Sequence, residues 1–267
     1  MNMRSSKSRP LLVLVAGLVL IAGAVVGGIL LFGNNDDGDG VGEVVKDKIP
    51  TASRSGSVGG PDNVTRLTPA EASFNLDELP ANYDYEVDVS NTFAMNLSTF
   101  ASSYWFRTGE EGEAKAKEWG IINGFQVYYQ PRGLFSATLQ GVPYINVETY
   151  QFEDVSGARK AFAHMNNVLK STPTSDAVEA RPLANESGAY RVIQGTVGPS
   201  EKVAAFHRFI FRRGNTVVAV QTWGGDDYMN IDPARNIAAE IDNKLLGSRP
   251  AVEPTPLPTP SFAGAGN

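Results

Sequence analysis

The sequence predicts an α+β protein, in which one membrane-spanning helix precedes a single domain with a mainly antiparallel sheet and about three helices. Residues 11–32 form an uncharged run of apolar and small residues. Later segments alternate as β-strands do, and others carry helical spacing and helix-capping residues. A tight turn at residues 213–215 joins the last two strands, which makes them an antiparallel hairpin.

The apolar run at 11–32 is long enough to cross a bilayer. A helix rises about 1.5 Å per residue, so this run spans the hydrocarbon core of roughly 30 Å. Basic residues precede it and acidic residues follow it, which predicts a cytoplasmic stub at 1–10 and an extracytoplasmic remainder. A cleaved signal peptide has a shorter apolar core of about 7–15 residues, so an uncleaved anchor in the cell membrane is favoured.

Two glycines in this span, Gly23 and Gly27, have the spacing that lets membrane helices approach closely. The span therefore contacts the lipid bilayer, and the glycines suit packing against a membrane protein partner or a second copy of the chain. Glycine is also common in isolated membrane helices, so the spacing alone leaves both states open.

Charge and cysteine content exclude several classes of protein. The 267 residues carry a net charge of -6. The stub contributes three positive charges, so the remainder carries -9 and does not favour nucleic acid. The absence of cysteine excludes disulfides, thiolate metal sites, cysteine nucleophiles and lipoprotein acylation.

Composition divides the chain behind the anchor into three parts. Residues 33–66 are rich in Gly, Asp, Ser and Asn, which predicts a flexible tether. Residues 67–247 are long enough for one domain with a real core. Residues 248–267 contain five prolines and predict an extended, disordered tail.

Three helices are predicted within the domain. Residues 109–119 follow Thr108, which stands in capping-box spacing with Glu111. Residues 157–170 and 232–246 place apolar side chains on one face at helical spacing. The last helix has Asp232 as its predicted N-cap.

Strands are predicted from alternation and from β-branched and aromatic content. The five clearest segments are 124–130, 143–152, 189–197, 203–212 and 216–223, and weaker ones lie near 84–90 and 177–183.

The unit of strand, acidic loop and helix occurs twice. Residues 145–150 resemble 218–223, and the helices that follow share five residues in aligned positions, although the intervening loop differs by three residues. This indicates either an internal duplication or the pattern that all amphipathic helices share. A duplication would place the two helices on one face of the sheet.

The residues 147–154 and 157–162 resemble the strand, turn and helix of extracytoplasmic sensor or lipoprotein domains, in particular the mycobacterial PknH-type sensor domain and the PsbP-like fold. The resemblance covers under a tenth of the chain. It implies a non-enzymatic α+β surface module and supplies no functional residues. Those sensor domains use disulfides, whereas this chain has no cysteine.

The best candidate for a binding site is the loop with Trp223, Asp226, Asp227 and Tyr228. Its glycines allow close backbone approach, its carboxylates suit a cation or sugar hydroxyls, and its aromatic rings can stack on a ligand. The alternative is a plain strand-to-helix loop with Trp223 buried.

The remaining sequence patterns give weaker evidence for a functional site. Of the two histidines, His164 is predicted on a solvated helix face and His207 at a core margin. Asn35, Asp37 and Asp39 match the first positions of an EF-hand, but Lys46 stands where the bidentate glutamate belongs. No catalytic constellation, metal site or cofactor motif is predicted.

The sequence therefore favours a membrane-anchored extracytoplasmic binding or scaffolding module, with an accessory subunit of a membrane complex as one form of that role. The enzymatic alternative is a hydrolase of envelope polymers with acid and base drawn from Glu148, Glu153, Asp226 and Asp227. A surface sensor is the third alternative, although a stub of ten residues leaves no room for an output domain.

Overall fold

An antiparallel sheet of eight strands organises the domain in the computed structural model, which describes residues 62–79, 84–132, 135–198 and 200–249. The predicted stub, the span at 11–32 with Gly23 and Gly27, and the end of the tail lie outside these ranges. Within them, no helix combines the length and apolar character that crossing a bilayer requires.

The strands are β1 Tyr85–Val87, β2 Phe93–Met95, β3 Ile121–Pro131, β4 Tyr144–Phe152, β5 Ser175–Ala177, β6 Glu186–Thr196, β7 Val203–Arg213 and β8 Thr216–Gly225. The helices are α1 Pro69–Ala72, α2 Leu97–Ala101, α3 Gly109–Trp119, α4 Phe135–Thr138, α5 Val155–Ser171 and α6 Asp232–Leu245, with short 3-10 turns at Leu76–Glu78 and Asp226–Tyr228. The α+β class, the antiparallel sheet and the three longer helices are as predicted.

The strand order is β1-β3-β4-β8-β7-β6-β5, and β2 also pairs with β3. The predicted hairpin of β7 and β8 is present, and Gly214 adopts the positive φ of 54° that its turn requires. At the centre of the sheet, β4 pairs with β8 so that Val147 lies opposite Val220. These two valines are also aligned in the repeat, so a local two-fold axis passes between them.

The helices do not follow this symmetry. On one face, here called the front face, α2, α3 and α5 pack against residues such as Tyr150 and Ile210. On the back face, α6 packs against residues such as Val147 and Phe209. The prediction that the two repeated helices share a face is therefore wrong. The connection between β8 and α6 is longer than the one between β4 and α5, and it leads to the other face.

Local signals account for the helix ends and the buried faces. The Thr108 hydroxyl accepts a hydrogen bond from the Glu111 amide at 3.1 Å, as predicted. Helix α6 starts at Asp232 itself, with Ile231 as N-cap, so the predicted capping role of Asp232 is wrong. Phe162 and Ile241 are buried at the centres of their helices, as predicted.

The folded domain includes residues that the sequence assigned to the tether. The Thr65 amide donates to Asn215 Oδ1 at 2.8 Å, and Asp62 pairs with Arg212 and Arg159. A Cβ at Gly214 would lie 1.8 Å from the carbonyl oxygen of Asn63, so only glycine allows this approach. The chain therefore already contacts the sheet at Asp62, ahead of the predicted boundary at 67.

Candidate functional site

Four polar side chains form a continuous row across the front face of the sheet. Successive cross-strand partners on β3, β4, β8 and β7 contribute one residue each. Cross-strand partners in an antiparallel sheet point to the same face, so the side chains lie side by side. All four are half-buried. This polar row consists of Tyr128, Asn146, Gln221 and Arg208.

Hydrogen bonds fix the orientation of the polar row and leave part of its capacity unused. Arg208 Nε donates to Gln221 at 2.5 Å, and guanidinium groups only donate, so the acceptor is Oε1 and the amide nitrogen of Gln221 points elsewhere. Asn146 Nδ2 donates to Glu148 at 3.2 Å. The amide oxygen of the same side chain, Asn146 Oδ1, is buried and has no partner among the described residues. Buried polar atoms are nearly always satisfied by protein, water or ligand.

Beside the polar row lies a row of aromatic side chains, again on successive strands. Tyr144 stacks on Trp223 with ring centres 4.2 Å apart and planes 6° apart, and Phe206 stacks on the other side of Trp223 at 5.6 Å. Trp223 Nε1 donates to the Tyr128 hydroxyl at 2.7 Å. The aromatic row is therefore Tyr144, Trp223 and Phe206, and this hydrogen bond ties it to the polar row.

The other flank of the polar row is Glu148, which is 3% exposed. Its carboxylate accepts hydrogen bonds from Tyr150 Oη at 2.6 Å and Trp105 Nε1 at 3.1 Å. The Tyr104 hydroxyl contacts the same carboxylate at 3.3 Å. Burial, followed by the charge of Glu148, raises the pKa of Tyr104 and of Tyr150 well above the usual value, so both phenols stay protonated and donate.

Glu148 also positions Arg208 indirectly. The Arg208 guanidinium lies over the Tyr104 ring, 4.9 Å from its centre. Such a contact attracts the cation to the ring face and limits its movement. Glu148 thus holds Tyr104, and Tyr104 holds Arg208 above the sheet.

The structure distributes the four residues of the predicted binding loop. Trp223 lies on the front face in the aromatic row. Asp226 forms a bidentate pair with Arg191, whose cross-strand partner His207 belongs to the back face. Asp227 pairs with Lys202 at 2.5 Å, and Tyr228 is 51% exposed. Binding by this loop as a unit stays a prediction, and Trp223 is the member that joins the polar row.

The glutamates of the hydrolase alternative lie far from Asp226 and Asp227. Glu148 lies in the middle of β4, whereas Glu153 is exposed just beyond its end. Asp226 follows β8 at the opposite end of the sheet, seven positions from the partner of Glu148. At about 3.3 Å per residue, this separation is roughly 23 Å, well above the 5–10 Å that acid–base pairs in glycosidases require.

The histidines behave differently from each other. His207, predicted at a core margin, is buried, and burial together with Arg191 lowers its pKa. His164, predicted to be solvated, is half-buried: its Nε2 lies 2.7 Å from the Trp105 carbonyl and its ring stacks on Phe106. In the described part of the chain, no group of three His, Asp or Glu side chains has the arrangement of a metal site.

Sequence reasoning identified Trp223 but missed Arg208, Gln221, Asn146 and Tyr128. A usable signal was present in the alternation of the central strands. On β7, the nearest residues on the same face as Arg208 are Phe206 and Ile210, so a charge stands between two apolar side chains. A polar residue at such a position is an error of packing unless it has a function.

Comparison with known proteins gives structural similarities alone. No family model and no curated sequence matches the chain. The extracellular domain of PknH from Mycobacterium tuberculosis aligns over 67% of this chain and 96% of its own length, with 13% identity and a TM-score of 0.38. LpqN, involved in cell envelope biogenesis of the same organism, aligns over 64% and 95%, with 12% identity and a TM-score of 0.24. The resemblance to PknH-type sensor domains is confirmed.

Proposed function

We propose that this chain is a membrane-anchored binding module and that its ligand lies on the polar row of the front face. The observation that carries the proposal is the unused hydrogen-bonding capacity of the row. The outer guanidinium nitrogens of Arg208, the amide nitrogen of Gln221 and the buried Oδ1 of Asn146 have no hydrogen-bond partner within the described ranges. Ligand sites combine a few such convergent polar groups with an apolar lining, which the aromatic row supplies.

The arrangement favours binding over hydrolysis. Glu148 accepts several hydrogen bonds and is nearly inaccessible, so it supports the site from its flank. Asp226 and Asp227 already pair with cations. Glu148 lies too far from Asp226 to share a glycosidic bond with it.

The location belongs to the same proposal and follows from sequence. The apolar run at 11–32, with basic residues before it and acidic residues after it, directs the domain outside the cytoplasmic membrane. Protease added to intact cells, or to spheroplasts where an outer layer shields the surface, should remove the domain. Full protection, under conditions that digest a known surface protein, would contradict this orientation.

The binding proposal is tested by purifying the full chain from the membranes of its own cells and extracting it with organic solvent for mass spectrometry. We expect a small molecule that co-purifies with the wild type and is lost from the variant Gln221→Leu. Leucine keeps the approximate volume of glutamine and removes its polar groups.

The matched control is Gln151→Leu, a half-buried glutamine of β4 that lies on the back face and bonds to the Leu67 carbonyl at 3.0 Å. It should retain the molecule. Equal retention by both variants, or no retained molecule in the wild type, would refute the polar row as the ligand site.

A further inference from the structure

Arg208 differs from the other arginines that contact this sheet, because no carboxylate pairs with it. Arg191, Arg212 and Arg213 each pair with an aspartate or glutamate. Within the described residues, Arg208 makes a hydrogen bond with Gln221 and a cation–π contact with the Tyr104 ring, and no ion pair. A half-buried guanidinium without a counter-ion is costly to desolvate, so an anion that reached it would be held strongly.

Further donors surround the guanidinium. The amide nitrogen of Gln221 points away from Arg208, since the Oε1 atom takes the Arg208 bond. Burial raises the pKa of Tyr128, so its hydroxyl keeps a proton, and it accepts from Trp223 without using that proton. Arg208 and Gln221 are cross-strand partners and therefore present donors to one acceptor-rich group, and the Tyr128 hydroxyl adds a donor further along the polar row.

The charges around the polar row favour one class of anion over another. The polar row holds a single cation, Arg208, and the carboxylate of Glu148 flanks the row where it is bonded to Asn146. A dianion such as a phosphate monoester would face one positive and one negative neighbour, which disfavours it. A planar carboxylate carries one charge and matches the two parallel N–H groups of a guanidinium edge.

The apolar lining of the site indicates the nature of the rest of the ligand. The aromatic row flanks the polar row along its length, and Val192 continues it on β6 as the cross-strand partner of Phe206. This side offers apolar contact and no charge. A molecule whose carboxylate reaches Arg208 would extend its apolar body over these rings.

We propose that the ligand is an amphiphilic carboxylate, with its carboxylate on Arg208 and Gln221 and its apolar body against Tyr144, Trp223 and Phe206. This assignment rests on the proposed function, because it names the chemical class of the ligand at the same site. Arg208 is the residue that sets the preference for charge.

The test uses the full chain and two water-soluble probes with the same body, 4-phenylbutyrate and 4-phenylbutanamide. Binding is followed by calorimetry and by tryptophan fluorescence. We expect the wild type to bind the carboxylate at least about tenfold more tightly than the amide. Arg208→Gln should remove this preference. Arg208→Lys keeps the charge but loses the planar fork, and it should lose most of the preference.

Arg107→Gln is the control, since Arg107 is exposed and lies outside the site. It should behave as the wild type, and the melting temperatures of the variants show whether each is folded. Equal binding of the two probes by the wild type, or a preference that survives in Arg208→Gln, overturns the carboxylate assignment. So does binding of both probes weaker than about 1 mM.

The proposed function is judged separately by the molecule that co-purifies with the wild type and is lost from Gln221→Leu. If that molecule is retained and proves to be uncharged, the site stands and the carboxylate assignment fails. If the front face instead binds a second copy of the chain, sedimentation would show a dimer that Arg208→Gln lacks and that 4-phenylbutyrate does not dissociate. That result also overturns the assignment.

Discussion

Arg213 and Arg208 lie five residues apart on the same strand and are held in opposite ways. Arg213 forms a buried bidentate pair with Asp242 of α6, with both bonds at 2.7 Å. Arg208 is half-buried in the polar row and has no carboxylate partner in the described part of the molecule. The first arginine fastens a helix to the back of the sheet. The second carries a charge that no carboxylate of the described residues neutralises.

The largest effect is expected when the buried pair is broken. Arg213→Met leaves the Asp242 carboxylate buried without its partner, and such changes cost about 3–5 kcal/mol in the free energy of unfolding. Urea denaturation measures this loss in the free energy of unfolding. Arg208→Gln, measured in the same way, should cost less, about 1–2 kcal/mol, because it removes one cation–π contact and one hydrogen bond.

The double variant Arg213→Met with Asp242→Leu sharpens the comparison. Removing both charges leaves no unpaired group, so much of the lost stability should return. A double variant as unstable as Arg213→Met alone would show that the pair acts through packing and not through charge.

Apolar packing on the two faces sets the scale for these ionic effects. Phe162 on the front is 4% exposed and Ile241 on the back is fully buried. Truncation of either residue to Ala should cost about 2–5 kcal/mol, measured by urea denaturation. If neither change alters the unfolding midpoint, the packing of α5 and α6 described above is wrong.

Two exposed ion pairs extend the series to smaller effects. Asp226 is about as exposed as its partner Arg191, near 30%, and Asp227 and Lys202 exceed 50%. Replacing both aspartates by Asn should change stability by only about 0–1 kcal/mol. The double variant also tests the predicted binding loop, in pull-down and calcium titration against the wild type. Equal binding would eliminate the two carboxylates as a site.

The smallest expected effect is a pH dependence at His207. Burial and the neighbouring Arg191 lower the pKa of this imidazole below its usual value of 6.5. The unfolded chain therefore takes up a proton below about pH 6.5 while the folded chain resists it, so stability is complete above that pH and declines as the pH falls. Denaturation of wild type and His207→Asn between about pH 5.5 and 7.5 checks this. The variant should show the shallower slope.

Local patterns in the sequence were enough to predict most of the elements. Period-two alternation gave the five long strands, and the turn around Gly214 gave the hairpin, because both signals depend on neighbouring residues. Helices α5 and α6 followed from apolar spacing in the same way. The short elements α1, α2 and β2 carry too few residues for a periodic signal.

These local patterns could not predict the candidate site, because the site depends on the order and register of the strands. Alternation places Arg208 and Gln221 on a face of their strands, but it does not say that β8 lies between β4 and β7. Asn146 and Tyr128 join the row only once that order is known. The opposite placement of α5 and α6 was missed for a related reason, since the repeat predicted equal faces and the unequal connections decided otherwise.

The central pairing of β4 with β8 also has a consequence for how fast the domain folds. Val147 and Val220 lie opposite each other although 73 positions separate them. The hairpin of β7 and β8 closes locally, whereas the entropy of loop closure opposes contacts between distant segments and slows folding. We expect the two halves of the sheet to form early as separate hairpins. The rate of folding is then set by the search that brings their inner strands together.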